Sequence, residues 1–204
     1  MEVKRGCMIA VSAISDIGDK ILLSNGEEIC YTKRKKKALR EELQKNQELI
    51  IAKISKKKLP LTAEEYRKYY KICDALPFAF TDIEMVFNEE KKAVDWIFRY
   101  GNEALATLEK LPLDKMIGNS FSSLFSNMDA KWLHVYERAT LYGETLEIMD
   151  YSPEIDTNLK IICFPTFPGH CGCILFNADK MKSISEENHL VRLVEVSMKN
   201  NSSK

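Results

Sequence analysis

Residues 78–179 read as an α+β domain, a five-stranded antiparallel sheet with helices inserted after its second strand. Three observations support this. Two strand-like runs, 79–87 and "VDWIFRY" at 94–100, flank a polar turn at Asn88–Lys92. A stretch of helical spacing broken by Pro112 and Gly118 follows, over 103–142. Three more strand-like runs, 144–151, 157–165 and 170–177, close the segment, the last two joined by "PTFPGH". A small basic α+β unit precedes this domain. The expected division is 1–58 for the basic unit, 59–77 for a linker and flanking helix, 78–182 for the sheet domain, and 183–204 for a last helix and tail.

In the first unit, the apolar run "CMIAVSAI" (7–14) suits a buried strand. Asn25-Gly26, between two apolar runs, signals a hairpin. Residues 34–46 suit a helix, with Leu39 and Leu43 four apart, and the β-branched "ELIIAKI" (48–54) suits a strand. Lys56–Pro60 reads as a linker. Helix 62–75 opens on a capping box, Thr62 with Glu65, and ends before Pro77. Tyr66, Tyr69, Tyr70 and Cys73 form one stripe on it, suited to packing on a sheet or on a second subunit.

In the sheet domain, strict alternation places Val94, Trp96, Phe98 and Tyr100 on one face and Asp95 and Arg99 on the other. Asn102 suits the cap of helix 103–111. "SFSSLF" supplies one turn carrying Phe121, Leu124 and Phe125. Helix 129–142, with Asp129 as its cap, turns Trp132, Val135, Tyr136 and Ala139 inward and stops at Gly143. Residues 184–199 suit a short final helix.

The chain has 204 residues, 45% hydrophobic and 29% charged, which fits a soluble globular protein. Nowhere do 18 apolar residues run together, which excludes a membrane-spanning helix of ordinary kind. The N-terminus shows no small-residue cleavage site, so a cytoplasmic location is expected. Six cysteines lie mostly in apolar runs, as reduced buried thiols do. Net charge is zero, yet residues 31–58 carry +8 and the rest −8. That asymmetry suits an anionic partner for the first segment, or two halves that attract.

The segments "YGNEAL", "MIGNSFSSLF", "KWLHVYERATLYGE" and "FNADKM", in this strand and helix order, resemble the PAS domain family over about residues 76–182. "LPFAF", "KWL" and "YSPEI" are similar to sensor modules found ahead of diguanylate cyclases in bacteria. The resemblance implies a PAS-like fold and a non-enzymatic signal-sensing or protein-interaction module. Such a module binds a small ligand or partner protein and acts through flanking helices and a homodimer. In haem-binding members an axial histidine comes from the connecting helix. His134 sits there but is turned about 200° from Trp132, so haem is disfavoured. Flavin chemistry is disfavoured too, because no cysteine lies near Phe121.

Inward bulky residues nominate a ligand pocket of Trp96, Phe98, Phe121, Phe125, Trp132, Tyr136 and Ile162. Lys33, Arg34, Lys35, Lys36, Lys37 and Arg40 read either as a solvated helix face or as a surface for nucleic acid or anionic lipid. The latter would make the chain a nucleic-acid-associated transcriptional regulator with a PAS sensory domain. "HCGC" (His170, Cys171, Cys173) lacks a second ligand cluster, so no metal site is expected. No acid is placed in sequence to orient His134, His170 or His189, and no nucleophile elbow or phosphate loop occurs. Asp150, Glu154 and Asp156 read as a solvated strand end.

Overall fold

The computed structural model describes residues 1–57, 61–126 and 130–181. Helix 184–199, His189, the cap at Asp129 and the linker residues 58–60 lie outside them. The chain divides into two compact units, one from Met1–Leu59 with Phe87–Ala93, the other from Pro60–Val86 with Val94–Lys204.

In the first unit, β1 (Glu2–Lys4) and β2 (Cys7–Met8) pair across Gly6, whose φ of 73° suits the tight turn. A 3-10 turn, Val11–Ala13, interrupts the expected strand over 7–14 before β3 (Ile14–Ile17) begins. β3, β4 (Ile21–Leu23) and β5 (Glu28–Ile29) form a meander, with the hairpin turn at Asn25-Gly26 where it was expected. The helix α1 (Lys36–Lys57) then runs straight through the segment read as a strand. No Gly or Pro stops it, and most of its residues favour helix. The residues turned at least partly from solvent (Lys36, Leu39, Leu43, Asn46, Gln47, Ile50, Ile51, Ile54) fall on one stripe of helical spacing. β-Branched composition was therefore the weaker signal. Val3, Ile14, Ile17, Ile21 and Leu39 form the buried core of this unit.

In the second unit, α2 (Ala63–Tyr69) opens on the expected capping box. Thr62 accepts from the Glu65 amide at 3.3 Å, and the Glu65 carboxylate accepts from the Thr62 amide at 2.7 Å. The helix tightens into a 3-10 turn over Lys71–Ala75 rather than continuing as α-helix. β6 (Ala79–Phe87) and β7 (Ala93–Gly101) follow, then α3 (Glu103–Glu109), α4 (Leu113–Met116), α5 (Phe121–Leu124) and α6 (Ala130–Tyr142). β8 (Leu146–Ser152), β9 (Thr157–Pro165) and β10 (His170–Asn177) complete a five-stranded antiparallel sheet in the order β7-β6-β10-β9-β8. First and last strands are thus central neighbours, paired from His170↔Glu84 to Leu175↔Ala79.

Asn102 holds the junction of sheet and helices. It is 1% exposed, and its side chain makes four hydrogen bonds. The carbonyl accepts from the amides of Phe80 (3.1 Å) and Leu105 (3.0 Å), and the amide donates to the carbonyls of Cys73 (3.1 Å) and Phe78 (2.9 Å). One residue both caps α3 and ties β6 to the segment before it. Gly101 beside it leaves room for Leu105, whose side-chain end would have to shift from a Cβ placed 2.6 Å away.

The sheet is covered on both faces, and of the two places the sequence offered for the tyrosine stripe, a sheet or a second subunit, Tyr66 and Tyr70 take the sheet. The helices after β7 take one face. The other carries a second cluster, in which Tyr66 of α2 and Tyr70, the residue that caps its C-terminus, pack with Phe80, Tyr100, Phe164 and Ile174. Tyr100 belongs to that cluster, with its ring centroid 5.0 Å from that of Tyr70, and so departs from the face of Trp96 and Phe98. Tyr69 is exposed despite its place in the tyrosine stripe.

Candidate functional site

Strand parity sorts the sheet residues into two chemically different faces. Thr81 and Ile83 of β6 pair with Cys173 and Cys171 of β10 and look toward the inserted helices. Phe80, Asp82 and Glu84 look the other way, toward α2.

A cavity of about 40 Å³ lies on the first face. Room for one water needs roughly 10–15 Å³ on this measure, so the cavity admits a solute of a few heavy atoms. Trp96, Phe98, Phe121, Trp132 and Tyr136, all nominated from the sequence, line it. Trp96 meets Phe121 at 4.3 Å between centroids and the edge of Tyr136 at 5.2 Å. Phe125 stacks on Phe121 at 4.7 Å but stands outside the lining. Ile162 pairs with Ile174 on the opposite face, and Ile161 takes the position expected of it. A strand assigned correctly but read one residue out of phase exchanges its faces. Burial, and then the nearby thiols, push the Tyr136 hydroxyl well above its ordinary pKa.

Sequence reasoning missed the polar part of the lining. Ser152, Glu109 and Glu154 all contribute to it. Glu154, read as part of a solvated strand end, accepts from the Ser152 hydroxyl with Oε2, while its Oε1 is buried without a hydrogen-bond partner. Protein encloses the Glu109 carboxyl although the residue keeps some exposed surface. That burial, and then the charge of Glu154, raise its pKa to about 7. The only advance signal was position, since Glu109 ends a helix whose Leu105, one turn earlier, is wholly buried.

The opposite face holds a buried polar network. Asp82 is 0% exposed and His170 is 1% exposed. One oxygen of Asp82 lies 2.6 Å from His170 Nδ1, and the other accepts from the hydroxyls of Tyr70 (2.8 Å) and Thr166. His170 Nε2 meets the Tyr66 hydroxyl at 3.3 Å. Glu84, beside it, is ion-paired with Arg99. The sequence reading found no acid to orient His170. The structure supplies Asp82, 88 residues away, because the central pairing of β6 with β10 joins the two ends of the domain. Gly172, opposite Asp82 in register, leaves the space, since a Cβ there would come within 2.8 Å of Thr166 Cγ2. An aspartate–histidine pair can orient a proton, but both members are sealed from solvent here, and the second ring nitrogen is occupied by Tyr66. This arrangement suits holding α2 on the sheet better than attacking a substrate.

His134 is exposed on α6. Among the described residues, no group of three or more His, Cys, Asp or Glu is placed to hold a metal. Cys163 and Cys173 face each other across β9 and β10, with thiol pKa values pushed up. For Cys163 the first cause is its hydrogen bond with Cys171, and for Cys173 it is burial. Neither is primed as a nucleophile.

The basic residues of the first unit are partly committed to its own fold. Lys35 bonds the Glu2 carbonyl at 3.1 Å and pairs with its carboxylate, and Lys37 pairs with Glu41. Arg40 forks onto the Ile17 carbonyl at 3.1 and 2.7 Å. Lys33 and Arg34 are exposed in the 3-10 turn before α1, and Lys36 is half-buried at its start. At about 100° per residue, Lys45 and Lys56 fall on the far side of α1 from Lys36 and Arg40. The charges encircle the helix rather than forming one face.

Compared with protein-family models and with curated proteins, the chain matches none. No helix among the described residues is long and apolar enough to cross a membrane.

Proposed function

We propose that the second unit is a PAS-type sensor module that works without catalysis, binding a small ligand in the cavity between its inserted helices and its sheet. The observation that carries this reading is that cavity, walled by aromatic side chains from three different elements. The element order, two strands, helices, then three strands, is the one that the resemblance implies. The sealing of the Asp82–His170 pair from solvent supports a binding role over an enzymatic one. The setting in this reading is bacterial cytoplasmic signalling, with a homodimer or partner protein receiving the output.

Transmission follows from strand parity. Thr81 and Ile83 touch the cavity, and Asp82 between them holds Tyr70, at the C-terminus of α2, on the other side. A ligand that shifts β6 alters the seat of α2, provided it binds the two seats with different affinity. The test is a screen of the full chain against a library of small solutes, read by native mass spectrometry and by emission of Trp96 and Trp132. Solutes that bind at one site and change the emission support the reading. No binder of any charge or polarity at millimolar concentration overturns it.

A further inference from the structure

Two carboxyl groups share a cavity whose walls are aromatic and which, among the described residues, no Lys, Arg or His lines. The Glu154 Oε1 atom is shut away from water with no donor to meet it. A buried acceptor left in that state is destabilising, and a bound donor that the Glu154 side chain turns to meet recovers the missing hydrogen bond. Lys110 follows Glu109 directly in the chain, yet its ammonium turns to the Ile155 carbonyl at 3.4 Å. Lys131 pairs with Asp150 at 3.0 Å and stands 5.0 Å from the centroid of the Trp132 ring, outside the lining itself. Around the carboxyl groups stand Trp96, Phe121, Trp132 and Tyr136. Their faces carry the negative quadrupole that attracts a cation.

We infer that the cavity is built for a small protonated primary amine, its ammonium between Glu109 and Glu154 and its short apolar group among the aromatic rings. This rests on the ligand-sensing reading above and names the chemistry of that same site. Three features select the amine. An ammonium presents three N–H donors, enough to meet Glu154 Oε1 and Glu109 together, whereas a quaternary cation presents none. A bare metal ion finds no third His, Cys, Asp or Glu beside the two carboxyl groups among the described residues. An anion would enter beside two carboxylates without a compensating charge. The cavity volume limits the amine to a few heavy atoms. Burial, and then the charge of Glu154, hold the Glu109 carboxyl protonated up to about pH 7, and the cation pairs with its ionised form, so binding strengthens as pH rises through about 7. Glu154, Lys110, Tyr136 and Cys173 are the other titratable groups facing that region, and Glu154 is the carboxylate among them.

The test compares isobutylamine, isobutanol and isobutyrate, which differ mainly in charge, with the full-length protein at pH 8 by calorimetry and tryptophan emission. The amine is expected to bind at least about tenfold more tightly than the alcohol, the value of one charge-assisted hydrogen bond of about 1.4 kcal/mol. Glu109→Gln and Glu154→Gln should each shrink the amine-to-alcohol ratio by about tenfold. Two carboxyl variants are used because either alone could disturb the local fold, and their unfolding curves check that. Equal affinity for amine and alcohol, or preference for isobutyrate, overturns the amine inference and leaves the sensor reading standing. Failure of all three to bind likewise overturns the amine inference, whereas the sensor reading falls only if the wider solute screen also finds no binder.

Discussion

Glu109 offers a direct physical test of the cavity. Its carboxyl titrates near pH 7 in the folded protein against an ordinary value of 4.5. A displacement of one pH unit in a titration midpoint corresponds to about 1.36 kcal/mol, so the full difference, from 4.5 to about 7, comes to about 3.4 kcal/mol. Allowing for the part of the residue that water reaches, about 2–3 kcal/mol remains. The folded chain keeps the proton between pH 4.5 and 7 while the unfolded chain has released it. Stability therefore falls as pH rises through that window and levels off above it. Glu109→Gln removes this loss. The variant should match the wild type near pH 4.5 and exceed it by about 2–3 kcal/mol at pH 8. Urea unfolding at pH 5 and 8, followed by tryptophan emission, makes the measurement. Both tryptophans, Trp96 and Trp132, lie in the second unit, so the first unit does not enter the signal. Other carboxylates, such as the lowered Glu65 and Asp150, affect both proteins alike. A difference that stays constant from pH 5 to 8, or a variant less stable at pH 8, refutes the claim that Glu109 is desolvated beside Glu154.

Further outcomes follow from the polar network and the caps. Asp82→Ala should lose about 3–5 kcal/mol in urea unfolding, since it leaves the Tyr70, Thr166 and His170 donors buried and unmet; a loss below about 1 kcal/mol would show the network to be dispensable. Asn102→Ala should cost at least about 2 kcal/mol through four lost hydrogen bonds, one of which is the α3 cap. Hydrogen exchange should show α3 opening first, and unchanged protection there would count against the junction role. Arg40→Ala should weaken the first unit by about 1.5–3 kcal/mol, seen as faster exchange at β3, because the Ile17 carbonyl loses a charged partner.

What could be read in advance follows from the range over which each signal acts. Local chemistry showed itself well. The Thr62–Glu65 box, the Asn102 cap, the Asn25-Gly26 hairpin and the bounds of β9 and β10 depend on residues a few positions apart. Signals that compete locally were harder. In "ELIIAKI" the β-branched side chains argued for a strand, but uninterrupted helical spacing with Leu39 and Leu43 prevailed. Long-range facts left no local trace. Nothing near His170 announces Asp82, and nothing near Glu154 announces Glu109. Ile162 illustrates an intermediate case, where the strand was evident and its phase was not.

The two faces of β6 draw these features together. Its residues from Ala79 to Met85 are all buried, although three of them, Thr81, Asp82 and Glu84, are polar. A strand buried on both sides is ordinarily a run of apolar residues, because each buried polar group must find a partner. β6 meets that demand with specific bonds: Thr81 donates to the Tyr100 carbonyl, Asp82 gathers three donors, and Glu84 holds Arg99. Such bonds accept little change in geometry. A displacement at the cavity that slides β6 against β10 must therefore be absorbed at the α2 face, where Tyr66 and Tyr70 are attached through single hydroxyl groups. Replacing both with Phe keeps the ring packing and removes the bonds. If the network carries the signal, Tyr66→Phe with Tyr70→Phe should leave ligand affinity within about twofold while abolishing the ligand-dependent change in α2 hydrogen exchange. Persistence of that change in the double variant would place the coupling in the packing of the rings instead.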